Sequence, residues 1–403
     1  MRELGQGGTL ETLSSEVFSV LQSHTINDSF LPNLNTLRLS SIEESFIPFI
    51  SLFLSPRITS IQFMSSVLSN PLASTVATLP TLCPNLQSIS LLLPTDPMIT
   101  AAVSQMLLAA NRNTLQLLDI DSPFTEEAGG VVYKLPNLRD LWVVIERETS
   151  LPSASLPNLT QLTIECENEG GWPRLFHRAT FGKLESITFY PQSDEFGDFL
   201  GAFERVALSS SVQNTLSKFY LVPCSRNPNC SSLLPFTQLV DLVIDFSCVG
   251  ICTSTVNDNI VISLSRAMPK LRHLDLGNKP CGELGRGVTA KGLVALALHC
   301  PDLQRLCIHF QVASLSAPPA SPGVTRNPEP TGPWTDCGLT ELVAGKIPVP
   351  EESVLMVALT LLRIFPRITN IYSKGEGWKK VKNALYLSKQ IIGCSSKHPL
   401  TTP

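Results

Sequence analysis

Leu31–Ser40 reads LPNLNTLRLS, and the phrase returns as PRITSIQF at Pro56–Phe63, CPNLQSISL at Cys83–Leu91 and NTLQLLDI at Asn113–Ile120. Each carries three apolar residues spaced apolar, two residues, apolar, one residue, apolar: Leu34, Leu37, Leu39; Ile58, Ile61, Phe63; Leu86, Ile89, Leu91; Leu115, Leu118, Ile120. The triplet recurs at Leu138, Leu141, Val143; Leu159, Leu162, Ile164; Leu184, Ile187, Phe189; and Leu216, Phe219, Leu221. It closes at Leu239, Leu242, Ile244; Leu271, Leu274, Leu276; and Leu303, Leu306, Ile308. Residues two apart on a strand point to one face, so the last two apolar residues mark a short strand with one buried side. A single strand of this kind cannot bury that side alone. Neighbouring units must stack in parallel and share a core.

First positions advance by 21 to 32 residues, with a mean near 27 from Leu34 to Leu303. That is the period of leucine-rich repeats. Between the strands, helical apolar spacing covers Glu43–Leu54, Pro97–Ala110, Phe196–Leu208, Asn257–Met268, Thr289–His299 and Glu351–Phe365. Several of these stretches begin at a capping residue and end just before a proline, at Met268, Cys300 and Phe365. The expectation is an α/β fold, a leucine-rich-repeat solenoid or horseshoe with parallel strands on the concave face and helices on the convex face. Residues 1–30 then form an incomplete first repeat or N-terminal cap, with Leu13–Leu21 as its helix, and 31–312 form the solenoid. Residues 313–335 hold six prolines between Pro318 and Pro333 and read as a mobile loop. Residues 336–392 read as a degenerate terminal repeat with an amphipathic capping helix at Lys379–Ile391, and 393–403 as a tail.

Of the 403 residues, 43% are apolar and only 16% charged, which excludes a disordered chain. The 30 Lys and Arg against 34 Asp and Glu give a net charge of −4, so no global field recruits nucleic acid or an anionic membrane. The longest apolar runs, Phe46–Leu54 and Val354–Phe365, fall short of the roughly 20 residues needed to span a bilayer. Eleven scattered cysteines without an N-terminal apolar signal suit a reduced cytoplasmic or nuclear setting. The glycosylation-type matches at Asn27, Asn158 and Asn229 then carry no weight.

Chemistry-bearing constellations are weak. Cys224, Cys230, Cys248 and Cys252 have the wrong spacing for a zinc knuckle. His24, His177, His273, His299, His309 and His398 form no metal pattern, and His299 beside Cys300 reads as a helix end rather than a thiol-activating base. GELGRG at Gly282–Gly287 lacks the Lys-Ser/Thr ending of a phosphate loop. The chain is therefore expected to have no catalytic residues, metal or cofactor.

The stretches LPNLNTLRLSSIEESFIPFISLFLSPRITSI from Leu31, PVPEESVLMVALTLLRIFPRITNI from Pro348 and GWKKVKNALYLSKQI from Gly377 resemble the opening and closing segments of the leucine-rich-repeat proteins of basidiomycete fungi usually labelled F-box proteins. The resemblance implies a substrate-recognition module of a cullin-type ubiquitin ligase, in which an F-box docks the ligase adaptor and the repeats choose the target. Ahead of Leu31 the sequence resembling that small helical bundle amounts to one helix, so the adaptor is expected as a partner only if an F-box exists upstream. A repeat scaffold without a ubiquitin role is the alternative.

The strand positions beside the second and third apolar residues are free to meet a partner. Across the units they hold the acids Asp119, Asp121, Asp140, Glu165, Asp241, Asp245 and Asp275 against the bases Arg38, Lys218 and Arg305. Trp142, Tyr190 and Tyr220 fall in the same stretch. Aromatic anchors among charges are the composition of an interaction hot spot. The expected partner is a protein with a basic surface, bound by Asp119, Asp121, Asp140, Trp142, Glu165, Tyr190, Tyr220, Asp241 and Asp245.

Overall fold

A computed structural model describes residues 3–4, 20, 23, 30–40, 42, 44–110, 113–123, 125–145, 154–166, 173, 175–176, 179–191, 200–201, 203–204, 212–222, 230–245, 256–277, 287–316, 337–345, 347–373 and 375–395. The chain divides into two compact units, one of Met1–Glu195 with Val206–Thr215, the other of Phe196–Arg205 with Leu216–Pro403.

In the first unit the strands β1 (Glu3–Leu4), β2 (Thr36–Leu39), β3 (Ser60–Met64), β4 (Ser88–Leu92), β5 (Leu117–Ile120) and β6 (Asp140–Ile145) pair in parallel, each with the next. Then β8 (Gln161–Cys166) pairs with β6, and β10 (Ser186–Pro191) with β8. Segments β7 (Ala154–Leu156) and β9 (Ala179–Phe181) form a separate parallel pair. The helices α1 (Asn70–Leu82), α2 (Pro97–Ala109) and α3 (Glu126–Val132) pack in sequence on one another, and α4 (Val212–Thr215) ends the unit. The second unit holds the parallel strands β11 (Lys218–Leu221), β12 (Asp241–Ile244), β13 (His273–Asp275), β14 (Arg305–Cys307), β15 (Glu341–Gly345) and β16 (Asn370–Ser373). Its helices are α5 (Asp258–Ala267), α6 (Ala290–His299), α7 (Val312–Ser316), α8 (Val354–Ile364) and α9 (Glu376–Ser395).

The triplets are the core. Every one of their residues is buried, none more than 8% exposed. The register is set accordingly: Leu37 faces Ile61, Ile61 faces Ile89, and Leu242 faces Leu274, which faces Leu306. A backbone device repeats with the strands. The carbonyl of the residue after the first apolar position accepts two N–H groups from the next unit, as Asn35 does from Thr59 and Ser60, and Arg272 from Gln304 and Arg305. Where that position is Thr, its hydroxyl donates to the same carbonyl of the preceding unit, as Thr160 does to Arg139 and Thr369 to Thr340. In the first unit the asparagine before the first apolar residue adds a further tie: Asn85, Asn137 and Asn158 donate through Nδ2 to the carbonyls of Pro56, Asn113 and Pro136.

The prolines act as stops. Cys83, Met268, Cys300 and Phe365 each precede a proline, leave the helical conformation, and donate their N–H to the residue four earlier. The residue before proline is sterically pushed out of the helical region, so the helix ends there. Each of the four is buried, and its carbonyl accepts the N–H of the next first-position apolar residue. At the other helix ends Ser69, Asp96, Thr125, Asn257 and Thr289 accept from backbone N–H groups, as N-caps do.

Several expectations are corrected. The helix expected over Glu43–Leu54 is a 3-10 segment at Ile47–Phe53, with Pro48 near its start. The return segments after β6 and β8 include the strands β7 and β9. Of the loop expected at 313–335, residues 313–316 belong instead to α7, with Val312 and Leu315 buried; residues 317–336 lie outside the described residues. Residues 336–392 are less degenerate than they read. Leu339, Leu342 and Ala344 are buried in one in-register unit, and Ile368 and Ile371 in the next. The capping helix extends over Glu376–Ser395, with Trp378, Val381 and Leu385 buried. The helix expected over Leu13–Leu21 lies outside the described residues except for Val20, as does most of Phe196–Leu208.

Candidate interaction surface

In both units the triplets occupy one face of the sheet, and the intervening side chains stand on the other, half-buried or exposed in nearly every case. In the first unit three rows run across this face, two over β5, β6 and β8 and one over β6, β8 and β10. Asp119 pairs with Trp142, and Trp142 with Thr163. Leu117 pairs with Asp140, and Asp140 with Gln161. Val144 pairs with Glu165, and Glu165 with Tyr190. The spacing thus brings Asp119, Asp140, Trp142, Glu165 and Tyr190 onto one face, with Asp121 just past the end of β5.

Trp142 and Tyr190 stack with ring centroids 5.5 Å apart and planes 5° from parallel. Tyr190 comes from β10, two strands to one side of Trp142; the strand on the other side is β5, which carries Asp119. Ser90 Oγ donates to Asp119 Oδ2 at 2.8 Å. Among the described residues, three neighbouring polar atoms are buried without a hydrogen-bond partner: Asp119 Oδ1, Asp140 Oδ1 and the Trp142 Nε1 donor. An orphaned buried polar atom costs about 1–3 kcal/mol. Burial raises the Asp119 carboxyl above its ordinary range, against the opposing Ser90 bond. Burial also raises Asp121, with the Asp119 charge adding to it, and Asp140, where Arg139 works in the other direction.

The corresponding face of the second unit has a different electrostatic character. Along one row stand Lys218, Asp241, His273, Arg305, Glu341 and Asn370, in register. Asp241 is 8% exposed, with His273 Nδ1 at 2.8 Å, Lys218 Nζ at 3.9 Å and the Tyr220 hydroxyl donating at 3.5 Å. Its carboxylate thus has side chains of its own chain beside it, although among the described residues no hydrogen bond reaches Oδ1. Asp245 is half-buried and donates its backbone N–H to Leu221. A cleft of about 350 Å³ lies on this face, lined by Tyr220, Asp241, His273, Asp275, Arg305 and Glu341 among others. His273 and Glu341 escaped the reading of single units, because only register shows them beside Asp241 and Arg305.

Among the described residues no group of three or more His, Cys, Asp or Glu converges on a metal position. Of the four cysteines weighed as zinc ligands only Cys230 is described, and it is buried. Cys300 is also buried, with Sγ 3.6 Å from the carbonyls of Ser265 and Met268, and burial pushes its thiol up to about 12. Such a thiol is a packing group rather than a nucleophile. Among the described residues no helix is long and apolar enough to cross a membrane. No family model matches the chain, and no curated protein matches it.

Proposed function

We propose that the chain is a leucine-rich-repeat horseshoe that acts as a non-catalytic protein-recognition module, binding a protein with a basic surface through the strand face of its first unit. The observation that carries this reading is the Trp142–Tyr190 stack, half-buried on that face beside the half-buried carboxylates of Asp119 and Asp140. A large flat aromatic anchor ringed by charge supplies contact area and direction together. The resemblance noted above makes the module the substrate-binding part of an F-box-type ubiquitin-ligase receptor of the cytoplasm or nucleus, with the ligase adaptor a further partner where an F-box is joined to the repeats.

The test compares proteins captured by the wild-type chain and by Trp142→Ala, followed by affinity measurement on each purified candidate at low and high salt. A true partner loses about 2 kcal/mol of affinity with Trp142→Ala, the size of a hot-spot truncation. It also weakens with salt, because the charge pairs are partly exposed. A purified partner whose affinity is unchanged by both would overturn the assignment.

A further inference from the structure

We propose that the cleft on the strand face of the second unit binds a free α-amino acid, with its carboxylate on Arg305 and its ammonium on Glu341. The inference goes beyond the recognition reading above, which concerns the first unit. The cleft has a volume of about 350 Å³, within the range of roughly 300–1,000 Å³ typical of small-ligand sites. Its charged lining divides into two sets. Asp241 and Asp275 are attended by their own chain: Lys218 and His273 stand beside the first, while the second accepts the Gly277 N–H at 2.8 Å and the Cys307 thiol. Burial also raises the Asp275 carboxyl above its ordinary range. Arg305 and Glu341 are different. Among the described residues neither of these side chains makes a hydrogen bond or an ion pair.

Arg305 is exposed and Glu341 half-buried, so both are open to solvent, and they pair in register across β14 and β15. Neighbouring strands lie about 4.8 Å apart, so the two side chains serve the same small volume. A simple anion gains from Arg305 and is repelled by Glu341, and a simple cation meets the reverse. A ligand with both signs on one carbon satisfies the two at once. The guanidinium presents parallel N–H donors to the two carboxylate oxygens of such a ligand, and the Glu341 carboxylate accepts from its ammonium. On β13 His273 pairs in register with Arg305, and its side chain is 46% exposed, which sets an imidazole beside the bound group. Past His273 the cleft continues to Val243 and Tyr220, which leaves room for the ligand's own side chain.

The test uses the whole chain. The common L-amino acids are screened by ligand-observed saturation-transfer NMR, and dissociation constants are measured for the strongest binder and for its N-acetyl and amide derivatives, which lack the ammonium and the carboxylate respectively. The free amino acid is expected to bind saturably and about tenfold or more tightly than either derivative. Arg305→Gln should abolish the preference over the amide and keep the preference over the N-acetyl form, and Glu341→Gln should do the opposite. Each contact is thus read by its own cycle. If one variant does not keep its fold, the other carries its cycle alone, and the comparison of the free amino acid with its derivatives on the wild-type chain needs no variant. No saturable binding by any of the amino acids, a derivative that binds as well as the free form, or preferences unchanged in a folded variant would overturn the proposal. Tighter binding of acetyl-aspartyl-lysine amide, whose two charges sit on side chains, would also overturn it, since the cleft would then serve a segment of a protein.

Discussion

Asp119 and Asp121 are carboxylates placed on a half-buried surface where burial works against their charge. With folded-state pKa values raised above those of the unfolded chain, the folded state holds more protons in the interval between the two. Stability therefore falls as pH rises through that interval, and the full penalty is present above it. Asp119→Asn removes the charge while retaining an acceptor for Ser90 Oγ, so its thermal midpoint should exceed that of wild type at neutral pH. The gain should shrink as the pH is lowered toward about 4, where the ordinary carboxylate is itself protonating. A midpoint lowered at neutral pH would mean that the charged bond from Ser90 outweighs desolvation. Burial acts alike on the thiols, raising Cys83 to about 11 and Cys166 and Cys300 to about 12. At pH 7 the Cys83 thiolate is then about one part in ten thousand, and less for the others. Iodoacetamide followed by peptide mass spectrometry should leave these three unlabelled in the native chain and labelled in denaturant; native labelling at Cys300 would contradict its buried position. The alternation of strand residues made the outward positions legible, but not their partners. Asp241 read like Asp119, yet it meets Lys218 and His273, because register between strands decides which charges become neighbours.

The cap α9 shows which interactions hold an element in place. Trp378 is 2% exposed, donates Nε1 to the Ile347 carbonyl at 2.8 Å, and meets Phe310 edge-on with centroids 5.7 Å apart. Trp378→Ala removes the packing and leaves a buried carbonyl without its donor, so it should cost about 3–5 kcal/mol in urea unfolding. Lys380 also reaches Glu351, but both side chains are largely exposed. Exposed ion pairs contribute little, so Glu351→Gln should leave the urea midpoint within error of wild type. The reverse ranking would show that the cap is held by charge. The apolar spacing of Val381 and Leu385 made this helix legible, whereas α1 was obscured by Pro80, which lies within its last turn. A proline there removes the N–H that would bond the Val76 carbonyl, and the helix ends two residues later, at Leu82. The strands β7 and β9 are three residues each, too short for a period-two signal to stand out.

At the scale of the whole molecule, each unit is a stack in which the strand of one repeat pairs only with the strands of the repeats before and after it, β7 and β9 forming their own pair in the first unit. That order was legible because the triplets set strand, face and register at once. It faded toward the end of the chain, where Ala344 and Ser373 occupy third positions that elsewhere carry large apolar side chains. The backbone ladder persisted there, with Thr340 and Thr369 continuing it. Stability in such a stack is close to a sum of unit terms and nearest-neighbour interface terms, so damage should spread by adjacency. Leu274 tests this within the second unit: it is 1% exposed on β13, with Leu242 of β12 on one side and Leu306 of β14 on the other. Leu274→Ala should cost about 2–5 kcal/mol, as a buried leucine truncation does. Hydrogen exchange should then rise at β12, β13 and β14 well before it rises at β16 and α9, which pack chiefly on β15, α8 and each other. Exchange that rises equally from β12 to α9 would instead mean that this unit opens as a single cooperative block, with interface terms large enough to make its strands melt together.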